Sequence, residues 1–287
     1  MHALTIFLLA LLLAACATPA TAPLSPSDQE SLARTAEAHE HDTPVATPAA
    51  TTPPVRPVTG STVTYGRVDG KDLQGYLARP ASAKGPLPGL IVIHEWWGLN
   101  DNVRDEAARL AAEGYVVLAV DLYQGRLATA PPEAMKLSRE LTTNPGPAEA
   151  NLRAAYAYLE DTERAPRIGS IGWCLGGRWS LRTALLLPDR LDATVIYYGS
   201  VQADETELAR LQLPVLGLFA ANDRVVPAPT VAAFEATMKR LGKDVEVHVY
   251  PATEHAFANP SGTAYQAAAA EDAWRRTTAF LAEHLTR

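Results

Sequence analysis

The sequence predicts an α/β fold: a doubly wound, mostly parallel sheet with helices on both faces. Three observations predict it. Short β-branched runs alternate with helix-length stretches through residues 62–285, the pattern of a sheet covered on both sides. One of these runs, 167–172, passes directly into Trp173-Cys174-Leu175-Gly176-Gly177, a glycine-flanked junction between a strand and a helix. Asp223 and His255 each stand just past a predicted strand, and in such a sheet the carboxyl ends of the strands face one crevice.

Taken in order, strands at 62–65 and 73–78 bracket a turn at Asp69-Gly70. A strand at 90–94 ends in the loop Glu95-Trp96-Trp97-Gly98, and a helix at 101–112 leads through Gly114 into a strand at 115–120. After a loop at 123–132, helices at 133–141 and 147–160 precede the strand at 167–172. A helix at 176–187, strands at 192–197 and 215–219, a helix at 229–241, a strand at 245–250 and a helix at 262–285 complete the domain, with no internal repeat.

The junction carries chemistry. Gly172-x-Cys174-x-Gly176 is the nucleophile elbow G-x-S-x-G with sulfur in place of oxygen, its glycines permitting the tight turn that lifts residue 174 out of the sheet. A buried cysteine packed as a small hydrophobe is the bland alternative. The order Cys174, Asp223, His255 matches nucleophile, acid and histidine in this fold, the α/β-hydrolase. In that reading Cys174 attacks a carbonyl as thiolate, with its pKa lowered by His255 and by the following helix start. His255 activates water, Asp223 fixes its tautomer, and the Leu175 N–H is the first oxyanion donor. A surface loop histidine and a helix N-cap are the alternatives for His255 and Asp223.

The residues His94-Glu95-Trp96-Trp97-Gly98-Leu99-Asn100, Asp121-Leu122-Tyr123, Gly172 to Gly177, Tyr197-Tyr198-Gly199, Asp223 with Val226-Pro227-Ala228-Pro229, and His255-Ala256-Phe257 resemble the dienelactone hydrolase family. The similarity runs from about residue 62 to the C-terminus. The resemblance implies a single α/β-hydrolase domain with a Cys-Asp-His triad, no metal and no organic cofactor, acting on a small ester or lactone. It implies that Glu95 lies beside the thiol and helps to activate it, and that the Trp96 N–H is the second oxyanion donor. Trp97, Tyr123, Trp173 and Tyr198 are candidate pocket walls, although aromatic residues at such places also serve as core. Members acting on dienelactone itself carry an arginine four residues after the histidine, where this chain has Asn259, so a carboxylate anchor is missing. A thioesterase or general carboxylesterase of the cell envelope remains an alternative. So does a catalytically silent ligand-binding lipoprotein.

With 287 residues, a formal net charge of −7 and no basic cluster, the chain does not read as a nucleic-acid binder. A monomer is expected. Residues 1–15 read as a signal sequence whose Leu13-Ala14-Ala15-Cys16 junction resembles a lipobox, placing a lipid on Cys16 and the protein on a bacterial membrane. Ala17 after that cysteine resembles lipoproteins of the outer membrane, with the domain on its periplasmic face. A soluble secretory signal or an uncleaved anchor are the alternatives. From 17 to 60 there is no aromatic residue, and 28 of 44 residues are Ala, Thr, Pro or Ser, too little apolar surface to offset ordering entropy. Residues 16–60 are therefore expected to be a disordered tether before a domain at 61–287. A short helix near 31–40 is possible behind the capping box that starts at Ser27. His39 and His41 have a metal-like look, but in an unsupported segment they are expected to be solvated.

Overall fold

Eight strands form one sheet in the order β1-β2-β4-β3-β5-β6-β7-β8. The computed structural model describes residues 24–44 and 53–286, so the expected signal sequence, Cys16 and residues 45–52 lie outside the described residues. The strands are β1 (Val58–Val68), β2 (Lys71–Pro80), β3 (Gly89–Ile93), β4 (Val116–Val120), β5 (Ile168–Trp173), β6 (Ala193–Tyr197), β7 (Val215–Ala220) and β8 (Val245–Tyr250). All eight fall on predicted runs. β1 and β2 form an antiparallel hairpin, and β2 also runs antiparallel to β4; from β4 to β8 every pairing is parallel. The hairpin turns at Asp69 and Gly70, both at positive φ, as a two-residue turn that matches strand twist requires.

The helices are α1 (Pro26–Ala38), α2 (Asp101–Ala112), α3 (Pro131–Thr143), α4 (Gly146–Ala157), α5 (Leu175–Leu186), α6 (Glu205–Leu208), α7 (Ala228–Arg240) and α8 (Ala267–Leu285). Side chains alternate across the strands and so feed two cores. On one face Ile91, Ile93, Leu118 and Ile196 pack with Leu152, Leu181 and Phe234 of α4, α5 and α7. On the other, Leu90, Val92, Val117 and Val195 pack with Val103, Ala107 and Leu110 of α2 and Phe280 and Leu281 of α8. The last helix starts at Ala267 rather than 262, because Asn259 and Thr263 are spent on turn and site contacts. Among the described residues no helix is long and apolar enough to cross a membrane.

Residues 24–44 depart from the expected tether. Ser25 caps α1 by accepting from the Asp28 N–H, and Pro26 occupies the first turn, where its missing N–H costs nothing. The helix lies beside α3 and is fastened at both ends: Arg178 pairs with Asp28, and Asp42 accepts from the N–H and Oγ1 of Thr263, each at 2.7 Å. Composition argued for disorder because the segment buries little apolar surface. What orders it is a set of polar contacts to residues far along the chain.

Candidate active site

The elbow forms as its glycines require. Cys174 sits between β5 and α5 at φ 52° and ψ −115°, a conformation that costs a non-glycine residue about 1–3 kcal/mol and that the surrounding turn imposes. A Cβ on Gly172 would stand 2.2 Å from the Gly176 carbonyl oxygen, and one on Gly176 would stand 2.1 Å from that of Ile93, so neither position accepts a side chain without displacing backbone. The Cys174 N–H donates to the Tyr197 carbonyl and pins the turn to the neighbouring strand.

Asp223 follows β7 and His255 follows β8, as expected for residues at the carboxyl edge. His255 Nδ1 donates to Asp223 Oδ2 at 2.8 Å, and His255 Nε2 lies 3.1 Å from Cys174 Sγ. Asp223 Oδ1 accepts from the N–H groups of Val225 and Val226, which hold the carboxylate in place. All three side chains are buried. Burial opposes ionisation of Cys174, but the charge and hydrogen bond of His255, with smaller contributions from His39, outweigh it and bring the thiol down to about 6. Burial likewise opposes the imidazolium of His255, yet the thiolate and Asp223 beside it push its pKa well above the ordinary value. The ion pair is the favoured state.

Glu95, in the loop after β3, accepts from Asn259 Nδ2 at 2.6 Å and from the Tyr198 hydroxyl at 3.4 Å. Burial and then the neighbouring Cys174 charge raise it to about 8, so near neutral pH it is mostly a protonated acid. Asn259, where an arginine would have offered a substrate anchor, instead orients this glutamate. Leu175 is the first residue of α5, directly after Cys174, and Trp96 borders the small cavity at the thiol.

The aromatic candidates divide. Tyr198 lines a small cavity at the thiol together with Trp96, and its ring stands edge-on to His255 at 5.3 Å. Trp173 packs on Tyr197 in the core, and Tyr123 is fully buried with its hydroxyl donating to the Trp96 carbonyl. Trp97 is buried against Trp96. His94 is a positioning residue: Nδ1 donates to the Glu95 carbonyl at 2.6 Å and Nε2 accepts from the Leu122 N–H, tying the glutamate's loop to the end of β4.

The contact that sequence reading missed is His39. Expected to be solvated, it is fully buried: its ring lies over Trp96 with centroids 4.9 Å apart, and its Nε2 is 3.9 Å from Cys174 Sγ. Its Nδ1 donates to Asp42 Oδ2 at 2.7 Å. Burial disfavours the charged ring, but Asp42 and the thiol outweigh that and raise His39 to about 9. The His39-x-x-Asp42 spacing was visible; its burial depends on a surface supplied by distant residues. With this segment docked, the cavity at the thiol is about 30 Å³. A larger one of about 590 Å³ lies alongside, bordered by Ser31, Arg178, Ser200 and Val225, which the two cavities share.

A sequence model described as the dienelactone hydrolase family matches residues 73–285. The protein usf of Aquifex pyrophilus is 34% identical over 225 residues, covering 76% of this chain and 96% of its own length. A Saccharolobus solfataricus protein provisionally named carboxymethylenebutenolidase is 32% identical over 250 residues, covering 74% of this chain and 95% of its own. Among solved structures, a Klebsiella pneumoniae protein provisionally described as a dienelactone hydrolase superposes with a TM-score of 0.71 at 29% identity, covering 79% of this chain and all of the other. A dienelactone hydrolase-like promiscuous phosphotriesterase from metagenomic libraries gives a TM-score of 0.72 at 25% identity, covering 79% and 98%. An elbow bearing cysteine, an eight-stranded sheet and a match through almost all of the domain lead to one conclusion: the chain belongs to the dienelactone hydrolase family.

Proposed function

We propose that this hydrolase cleaves an ester or lactone through a thioacyl enzyme, with Cys174 as nucleophile, His255 as acid and base, and Asp223 as its orienting carboxylate. The observation that carries the reading is His255 bridging Asp223 at 2.8 Å and the thiol at 3.1 Å. The thiolate adds to the carbonyl carbon, forming a C–S bond while the carbonyl electron pair moves to oxygen, and the N–H groups of Leu175 and Trp96 receive the oxyanion. Collapse breaks the C–O bond, and the leaving oxygen takes the proton held by the His255 imidazolium. Water then attacks the thioester with His255 as base, the C–S bond breaks, and the carboxylic acid leaves as the thiolate is restored.

A thiolate leaves more readily than an alkoxide, so the adduct of a simple alkyl ester tends to collapse backwards. Enol lactones, aryl esters and acyl thioesters escape that return. With Asn259 engaged on Glu95 rather than offering a guanidinium, a carboxylate on the substrate is not required. Residues 24–44 narrow the space at the thiol to a cavity of about 30 Å³ that adjoins the larger one, so their movement would widen access for an ester carbonyl to Sγ. The protein would work on a membrane surface, tethered by a lipid on Cys16; mass spectrometry of the native protein finding Cys16 unmodified would oppose that.

The test is a panel of enol lactones, aryl esters, alkyl esters and acyl thioesters. Cys174→Ala should lower turnover of the best substrate by at least about 10³-fold while unfolding cooperatively. Glu95→Gln should slow acylation more than deacylation above about pH 8, where the carboxylate at 95 is ionised and can help to form the thiolate, and should change little near neutral pH. Turnover retained by Cys174→Ala would overturn the mechanism.

A further inference from the structure

Hydrolysis by the triad makes no use of His39, yet His39 is as deeply buried at the thiol as His255. The Nε2 atoms of both rings and Cys174 Sγ lie within 4.8 Å of one another, with His255 at 3.1 Å and His39 at 3.9 Å from the sulfur. Each ring is also tied through Nδ1 to a carboxylate, His255 to Asp223 at 2.8 Å and His39 to Asp42 at 2.7 Å. An imidazole whose Nδ1–H is held by a carboxylate presents Nε2 as a lone pair, which is how histidine ligands are fixed around zinc. A sulfur and two such nitrogens make a donor set for a borderline or soft cation and a poor one for Mg²⁺ or Ca²⁺. A cavity of about 30 Å³ borders Cys174 and His255 beside this cluster, and His39 faces the same sulfur from outside its lining.

We propose that Cys174, His255 and His39 form a binding site for a thiophilic divalent cation of the zinc class, which locks residues 24–44 over the active site. Bonds of about 2.3 Å to sulfur and about 2.0–2.1 Å to nitrogen place tetrahedral donors about 3.3–3.6 Å apart. His255 and the sulfur already stand closer than that, at 3.1 Å, and a movement of His39 by roughly 1.5–2 Å brings its Nε2, now 3.9 Å from the sulfur, to tetrahedral spacing from both. Such a shift is within reach of a residue that follows the last turn of α1. The thiol and both Nε2 positions give up their protons as the cation binds, and a water takes the fourth position. The nucleophile and its base are then both ligands, so hydrolysis stops until the cation is removed. Residues 24–44 lie outside the stretch matched to the family, which makes His39 a ligand that this chain adds to the family's domain.

Cobalt(II) reports such a site directly. Titrated into the reduced full-length protein, it should bind one ion per chain with a thiolate-to-cobalt charge-transfer band and the visible spectrum of a tetrahedral site. The chain has two cysteines, and the band should vanish in Cys174→Ala. His39→Ala and Asp42→Asn should each weaken cobalt binding by about 10–100-fold, the second by loosening His39 alone. Excess zinc should displace the cobalt and, at one equivalent, inhibit ester turnover, with recovery on adding a chelator. The inhibition arm rests on the hydrolase reading; the cobalt arm does not. The absence of a band in the wild type, a band that survives Cys174→Ala, or unchanged affinity in both His39→Ala and Asp42→Asn would overturn the proposal.

Discussion

At Cys174 two imidazoles approach one sulfur, and each is backed by its own carboxylate. Both lower the thiol's pKa, His255 more than His39, against the cost of burial, and the result is about 6. Acylation needs the thiolate, so kcat/KM toward an activated ester should fall as pH drops through about 6. With the segment still docked, His39→Ala removes one of the groups that favour the thiolate, so the thiol's pKa should rise and this acidic limb should move to higher pH. A pH–rate profile of wild type and variant checks it, and coincident limbs would show that His39 is electrostatically silent. The elbow and its cysteine were legible because they occupy consecutive residues with glycines at fixed offsets. The partner of Glu95 was not: the absence of an arginine at 259 could be read, whereas the amide's turn onto Glu95 is set by the loop after His255.

Helix α1 shows how little apolar burial an ordered element needs when polar anchors are well placed. Of residues 24–44 only Leu24 is a buried large hydrophobe; Thr35, His39 and Asp42 are buried polar groups. Apolar burial alone does not hold the segment, and docking depends on the His39–Asp42 pair and on Asp42 with Thr263. His39 is raised from 6.5 to about 9, so its contribution is fully present below pH 6.5 and lost as pH rises through about 9. Hydrogen bonds from His39 and Thr263 outweigh burial and depress Asp42 below its free value of 3.8, so its contribution is present above pH 3.8 and lost in stronger acid. The segment should be best protected between about pH 4 and 9. Limited proteolysis across that range, with cleavage mapped by mass spectrometry, should find residues 24–44 cut faster above about pH 9; a constant rate would refute the linkage.

For the whole molecule, the two cores lie between the sheet and α2 to α8, and α1 adds only the part-buried Ala36 and Ala38 to them, so the domain is expected to hold without α1. Removing residues 1–57, just before β1 begins at Val58, should leave one cooperative transition with a Tm within a few degrees of the full chain. It should raise kcat/KM for bulky activated esters, because the surface over Cys174 is uncovered. Loss of cooperativity would make the segment part of the core, and an unchanged kcat/KM would mean that it does not limit access. The sequence by itself determined the strands, most of the helices, the elbow and the chain order of Cys174, Asp223 and His255. Those features are written in periodicity, turn residues and strand ends, which act over a few neighbouring positions. Only the tertiary structure decided that His39 meets Cys174 across 135 residues, that Asn259 holds Glu95, and that Trp97, Tyr123 and Trp173 are buried. In each case the deciding quantity is burial against a surface assembled from distant parts of the chain, which no local pattern encodes.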